Sequence, residues 1–290
     1  DVRFFRITEQ GKPIAGFYLD LYAREGKRGG AWMADCRVRR QTEQGLQLPV
    51  AFLTCNFTAP VNGRPALLTH DEVTTLFHEF GHGLHHMLTQ QHIADISGIN
   101  GVAWDAVELP SQFMENYCWE REGLDLLAKH VDSGEPLPAE LLERLQAAKN
   151  FQSAMGMMRQ IEFSLFDLRL HHELSAPSAS DVQALLDEVR EAVSVLPKVS
   201  FNRFQNSFGH VFAGGYAAGY YSYKWAEVLS ADAWSAFEEA GIFDPETGQR
   251  FRREILEQGG ARDAADLFVA FRGREPSVEP LLRHSGIRAA

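Results

Sequence analysis

The sequence predicts an α+β fold, mainly α-helical, with a small N-terminal β-sheet ahead of a helical body. Three observations carry that expectation. Up to residue 60, apolar and polar side chains alternate in short runs separated by turn residues, the period of half-buried strands. Beyond residue 90 the text is helical almost throughout, apart from a loop over Ile96 to Trp104 marked by Gly98 and Gly101. Between these regions lies the clearest helix, residues 69–90. Thr69 and Glu72 form a capping box, Asp71 and Glu72 put negative charge at the positive helix end, and Val73, Leu76, Phe77, Phe80, Leu84, Met87 and Leu88 recur at helical spacing.

In order, Val2, Phe4 and Ile7 alternate loosely up to the turn Gly11-Lys12-Pro13, and Ile14 to Tyr22 alternates again. Glu25-Gly26-Lys27-Arg28-Gly29-Gly30 is a positively charged glycine-rich loop. It lacks the Gly-Lys-Ser/Thr ending of a phosphate-binding P-loop, so a mobile hairpin is expected there. Ala31 to Arg39 forms a third strand, and Leu48 to Phe57 a fourth, apolar enough to be central. Pro60 to Pro65 links into the helix at 69–90. Gly81 and Gly83 inside that helix are poor helix formers and suit a close approach by another backbone. A further helix starts near Asp105 to Glu108 with Pro110 in or near its first turn. Others run from Ala139 towards Leu174 with a break near Gly156, from Asp181 to Leu196, from Tyr220 to Ala240 and from Ala264 to Phe271. The whole of 1–290 is expected as one domain, a small sheet over 1–60 and a helical body over 61–290.

With 45% hydrophobic and 23% charged residues the chain is ordinarily globular and can bury a sizeable core. Its 28 basic against 39 acidic residues give a net charge of −11, which argues against nucleic acid and anionic membrane as partners. The 3 cysteines, Cys36, Cys55 and Cys118, are too few and too scattered for a disulfide framework and fit a reducing, cytoplasmic setting. No run approaches a membrane span, and no signal-peptide pattern is present. The text opens at Asp1, in strand-like sequence without Met, as a fragment or processed chain would.

Inside the 69–90 helix stands His78-Glu79-Phe80-Gly81-His82, a match to H-E-x-x-H. Residues four apart share a helix face, so His78 and His82 can offer two imidazoles to one metal ion, while Glu79 is turned aside and free to take a proton from water. Such a pattern also arises by chance on ordinary surface helices. A catalytic zinc takes three protein ligands plus water, and Asp95, Asp105, Glu108 and Glu115 are the downstream candidates. Glu108 is slightly favoured because it opens the next helix. Glu115, two turns on, is an alternative ligand or a partner lying behind one. His85 and His86 are expected behind the ligands, on the substrate side, or at the polar surface.

Phe77-His78-Glu79-Phe80-Gly81-His82-Gly83-Leu84-His85-His86 and Val107-Glu108-Leu109-Pro110-Ser111-Gln112-Phe113-Met114-Glu115-Asn116 together resemble the thimet-oligopeptidase family of zinc metallopeptidases. The likeness continues through Gly209-His210-Val211-Phe212-Ala213-Gly214-Gly215-Tyr216-Ala217-Ala218-Gly219-Tyr220-Tyr221-Ser222-Tyr223 and the closing Phe271-Arg272-Gly273-Arg274-Glu275-Pro276. The resemblance implies that His78, His82 and Glu108 ligate one Zn2+ per chain and that Glu79 is the general base. It implies further that His210 and Tyr216 act at the oxyanion, and that Tyr220 and Tyr223 bind substrate. Read from the residues alone, the His-Tyr segment is equally a helix-packing patch, with packing favoured for Tyr221.

The expected activity is that of a zinc endopeptidase on short oligopeptides, with the edge near Gly29 to Trp32 as the place where an extended substrate would add a strand. The alternatives are a dipeptidyl carboxypeptidase of the same family and an inactive zinc-bearing peptide-binding fragment. Members of the family are much longer, with a helical N-terminal half forming the opposite wall of a deep channel. That half is absent here, and the surface it would cover is a place for self-association.

Overall fold

The computed structural model describes residues 2–287. Its strands are β1 (Arg3–Glu9), β2 (Lys12–Tyr22), β3 (Trp32–Arg37), β4 (Arg40–Thr42), β5 (Gly45–Gln47) and β6 (Val50–Phe57). Four of them form a sheet in the order β1-β2-β6-β3, with β2 and β6 parallel and the other pairs antiparallel, while β4 and β5 form a separate hairpin. The apolar β6 is internal, as its composition predicts, and buries Ala51, Leu53 and Cys55 completely. β3 is an edge.

Two expectations in this region need correction. The stretch Ala31 to Arg39 is not one strand. The ladder with β6 slips between Asp35 and Arg37, the Arg37 carbonyl lies 2.8 Å from His86 Nε2, and the chain turns into the β4–β5 hairpin. The glycine-rich loop is tied down rather than mobile. Lys27, almost fully buried, donates from Nζ to the carbonyl oxygens of Cys55 (2.5 Å), Tyr22 (2.9 Å) and Asp20 (3.2 Å) and to the Asp20 carboxylate (3.0 Å). Asn56 Nδ2 donates to the carbonyls of Arg28 and Gly30 at 2.8 and 2.7 Å. An ammonium used in this way has no donor left for a phosphate.

The helices are α1 (His70–Leu88), α2 (Leu109–Glu115), α3 (Arg121–Leu127), α4 (Ala139–Lys149), α5 (Ser153–Glu173), α6 (Ala179–Val193), α7 (Gly209–Phe212), α8 (Ser222–Ala240), α9 (Pro245–Phe251), α10 (Ala264–Arg272) and α11 (Glu279–His284). The break between α4 and α5 falls at residues 150–152, where Gln152 is left-handed (φ 56°), and not at Gly156, which lies inside α5. α3, α7, α9 and α11 were not expected. They span 7, 4, 7 and 6 residues, too few turns for an apolar period to show. Among the described residues no helix is long and apolar enough to cross a membrane.

Two larger cores organise the helical body. One joins Leu109 and Phe113 of α2 to Leu229, Trp234 and Phe237 of α8, with Phe251 of α9 and Phe268 and Phe271 of α10. The other joins Phe166 and Leu170 of α5 to Leu185, Leu186 and Val189 of α6, with Phe208, Val211 and Tyr220. The closing Arg272-Gly273-Arg274 run belongs to the first. Arg274 clamps the fully buried Asp232 carboxylate of α8 at 2.5 and 2.6 Å, and the Ser277 N–H adds a third bond at 2.7 Å. A buried carboxylate paired in this way is satisfied, so this closing run serves packing.

α1 lies between the sheet and the first core. Its capping box is present, with the Glu72 N–H donating to Thr69 Oγ1 at 3.2 Å and the Thr69 N–H to Glu72 Oε2 at 2.8 Å. Met87 and Phe80 face Ala15, Ala51 and Phe17 of the sheet, while Leu84 and Leu88 reach the first core. The two helix glycines mark the closest approaches. A Cβ on Gly83 would meet Leu53 of β6 at 3.1 Å. A Cβ on Gly81 would lie 2.4 Å from the Pro110 carbonyl oxygen, an impossible contact. The backbones of α1 and α2 therefore touch at Gly81, which sets the distance between their side chains.

Candidate metal centre

Because Gly81 admits the start of α2, Glu108 is delivered to the His78 and His82 face of α1. Glu108 occupies the N-cap position of α2, is 8% exposed, and carries Pro110 in the first turn behind it. Its Oε2 lies 3.2 Å from His78 Nε2 and 3.1 Å from His82 Nε2. The ligand atoms of the three residues fall within 4.8 Å of one another. Ser111 Oγ donates to the same Glu108 oxygen and to the Glu108 carbonyl, both at 2.9 Å, which fixes the carboxylate. Glu115 Oε1 lies 2.7 Å from His78 Nδ1, so it holds the far side of that ring and aims Nε2 at Glu108. Of the other carboxylates considered, Asp105 accepts from the Tyr221 hydroxyl at 2.7 Å and is turned away from the histidines.

The electrostatics of the cluster favour a cation. Burial disfavours a charged His78, yet its contacts with Glu108 and Glu115 outweigh that and push its pKa up to about 10. Burial alone would raise Glu108, but both histidines hold its carboxyl well below the usual carboxylate range. A buried carboxylate and a partly exposed one flanking one imidazole thus favour positive charge between them. An N2O donor set with that demand, and with its far-side partner already in place, fits a divalent metal. Glu79 is as buried as Glu108. Burial raises its pKa, opposed by the neighbouring histidines and by the backbone N–H of Met33 on β3.

His85 and His86 are neither at the surface nor on the substrate side. They are 3% and 0% exposed. Burial, with His82 and His86 close by, lowers His85 to about 3, so it is a neutral core imidazole. His86 packs under the end of β3 and against Gly98, where a Cβ would meet its Nδ1 at 2.6 Å.

The segment from α7 to the start of α8 gathers a cluster of aromatic rings. Tyr216 and Tyr223 are stacked, with centroids 4.8 Å apart. His210 stands 6.1 Å from each of them. Burial raises the pKa of both tyrosines, with the Glu108 carboxylate adding to the rise, and Gln112 Nε2 of α2 donates to the Tyr223 carbonyl at 3.2 Å. Tyr220 differs. It is buried among Phe163 and Phe208, and its hydroxyl donates to Gln160 Oε1 at 2.9 Å. Tyr221, expected to pack, is exposed instead, and its hydroxyl ties the segment to the Asp105 loop, where Trp104 lies 4.9 Å from the Tyr216 ring. Ser111 and Asp167 were missed by sequence reasoning. Asp167 is fully buried in α5 and accepts the N–H groups of Ala218 and Tyr220. A mid-helix Asp in apolar text was the one available signal for it.

A helical H-E-x-x-H pair completed by a carboxylate from the following helix is an arrangement of the metallopeptidase class. The family model described as Peptidase family M3 matches residues 1–287, and the chain belongs to that family. It is 59% identical over 290 residues to "Oligopeptidase A" of Escherichia coli (strain K12), covering 99% of this chain and 43% of that protein. It is 40% identical over 294 residues to "Dipeptidyl carboxypeptidase" of Salmonella typhimurium, covering 99% of this chain and 42% of that one. The chain therefore spans about two-fifths of the length of these relatives. Among solved structures, "PZ peptidase A with inhibitor 2" superposes with a TM-score of 0.61 at 16% identity, covering 92% of this chain and 43% of that chain, a likeness of fold.

Proposed function

We propose that this chain carries the catalytic centre of a zinc-dependent endopeptidase acting on short peptides. The observation that supports the reading most strongly is the convergence of His78, His82 and Glu108, with Glu79 buried beside them. Those three residues would hold Zn2+. When bound there, zinc supplies Lewis acidity, polarising a carbonyl and lowering the pKa of water towards ~7. Glu79 then has two tasks, taking the proton from the attacking water and returning it to the leaving amine. Its burial suits them, because a carboxylate raised towards neutrality accepts and releases a proton more evenly. His210 and Tyr216 donate to the oxyanion as it develops, with Tyr223 stacked behind Tyr216 and Tyr220 supporting the cluster from within. An extended peptide adds to the edge strand β3, which packs against α1.

A quenched fluorescent peptide tests this. Cleavage that is abolished by a chelator and restored by stoichiometric zinc supports it. Binding of the peptide by the zinc-loaded chain without cleavage would contradict it and favour a peptide-binding role. The 40% identical dipeptidyl carboxypeptidase keeps one second reading in play. Release of dipeptides from the C-terminus alone, across a ladder of peptide lengths, would replace the endopeptidase assignment.

A further inference from the structure

We propose that Asp167 is the positioning residue for the turn that carries Tyr216 and Tyr223. The catalytic consequence rests on the peptidase reading above, whereas the geometry does not. Asp167 projects from the middle of α5 and is fully buried. Its Oδ1 accepts the Ala218 N–H and its Oδ2 the Tyr220 N–H, each at 2.9 Å. His171 Nδ1, one turn on, lies 3.0 Å from Oδ1 and completes the set of polar groups around the carboxylate.

The turn needs such a holder. Gly214, Gly215 and Gly219 give its backbone wide freedom, with Gly215 at φ 86°. Ala218 adopts φ 55°, a left-handed conformation that a residue with a Cβ avoids unless its surroundings impose it. The residue under strain is the one whose N–H a buried carboxylate captures. Bonds to an ionised acceptor are roughly twice as strong as neutral ones, enough to hold a single strained turn.

What the clamp fixes is the spacing between two tyrosines. Tyr216 precedes the clamped amides and Tyr223 follows them, the two rings stack at 4.8 Å, and Gln112 of α2 donates to the Tyr223 carbonyl at 3.2 Å. Asp167 stands on the α5–α6 core, whereas the metal-binding residues stand on α1 and α2. The carboxylate thereby carries the position of one core into the geometry of the site. A carboxylate needed only for packing α5 would leave the order of the turn and the rate of the reaction unlinked.

The test combines hydrogen exchange over residues 213–221 with steady-state kinetics and zinc content. In Asp167→Asn an amide NH2 must replace one accepting oxygen, and the turn amides are expected to exchange about 10-fold faster or more while α1 keeps its protection. Turnover is expected to fall about 10- to 100-fold, with KM changed by less than about threefold and zinc content unaltered. Ala218→Pro, on an exposed position, breaks the same clamp from the other side by removing the N–H and forbidding positive φ, and should reproduce both effects even where Asp167→Asn fails to fold. Ala218→Gly keeps the N–H and accepts the conformation, so it should stay within about twofold of the parent. Unchanged exchange in both clamp variants would overturn the proposal, as would faster exchange with unchanged turnover. A parent chain that cleaves no peptide would defeat the peptidase reading, and the exchange data would still decide whether Asp167 orders the turn.

Discussion

His78, His82 and Glu108 stand on helices whose backbones touch, whereas Tyr216 and Tyr223 stand on either side of a turn containing a strained alanine. The first group rests on the sheet and the α2–α8 core, the second on the α5–α6 core. The contrast follows from chemistry. A metal requires its ligand atoms within tenths of an ångström, and helices interlocked through a glycine give that precision. On the proposed reading, a donor to the developing oxyanion such as Tyr216 must reach a substrate that enters and leaves, which suits a turn held by a few hydrogen bonds. The centre thus pairs a rigid side with an adjustable one.

That comparison can be sharpened from the rigid side. Glu115→Gln removes the carboxylate behind His78 and is expected to weaken zinc binding about 10- to 100-fold, measured by competition with a chromophoric chelator. The exchange of residues 213–221 should not change. If it did, the two sides would be one unit. Gly81→Ala drives a methyl group into the Pro110 carbonyl and is expected to cost about 1–3 kcal/mol in denaturant unfolding, with zinc affinity falling as α2 shifts. Equal stability with unchanged zinc affinity would show that the α1–α2 contact does not set the ligand spacing.

Much of the rigid side was legible in the sequence, because its signals are local. The capping box at Thr69 and Glu72, the histidine spacing and the apolar run of β6 each sit within a few residues. The two helix glycines announced a close approach without saying to what. The third candidate ligand was not legible from spacing, since Asp95, Asp105, Glu108 and Glu115 were all possible until α2 docked against Gly81. The resemblance to a known family favoured Glu108, and the structure brings that residue to the histidines. For His85 and His86 the surface and substrate-side readings fell away because exposure depends on what packs above a helix, here the end of β3 and the Gly98 loop. The glycine-rich loop around Lys27 looked mobile for the same reason. Asp167 was invisible because its partners lie on a turn far along the chain, and only the fold brings them together.

The central claim is that one face of α1 divides metal binding from proton transfer, with His78 and His82 for the ion and Glu79 for the water. Glu79→Gln tests it most directly, with zinc stoichiometry and peptide turnover measured on the same sample. The expected result is one zinc per chain, as in the parent, and turnover reduced at least about 10²-fold, the scale of a general base. Near-parental turnover with zinc retained would contradict the account, and loss of zinc would make Glu79 a part of the metal site.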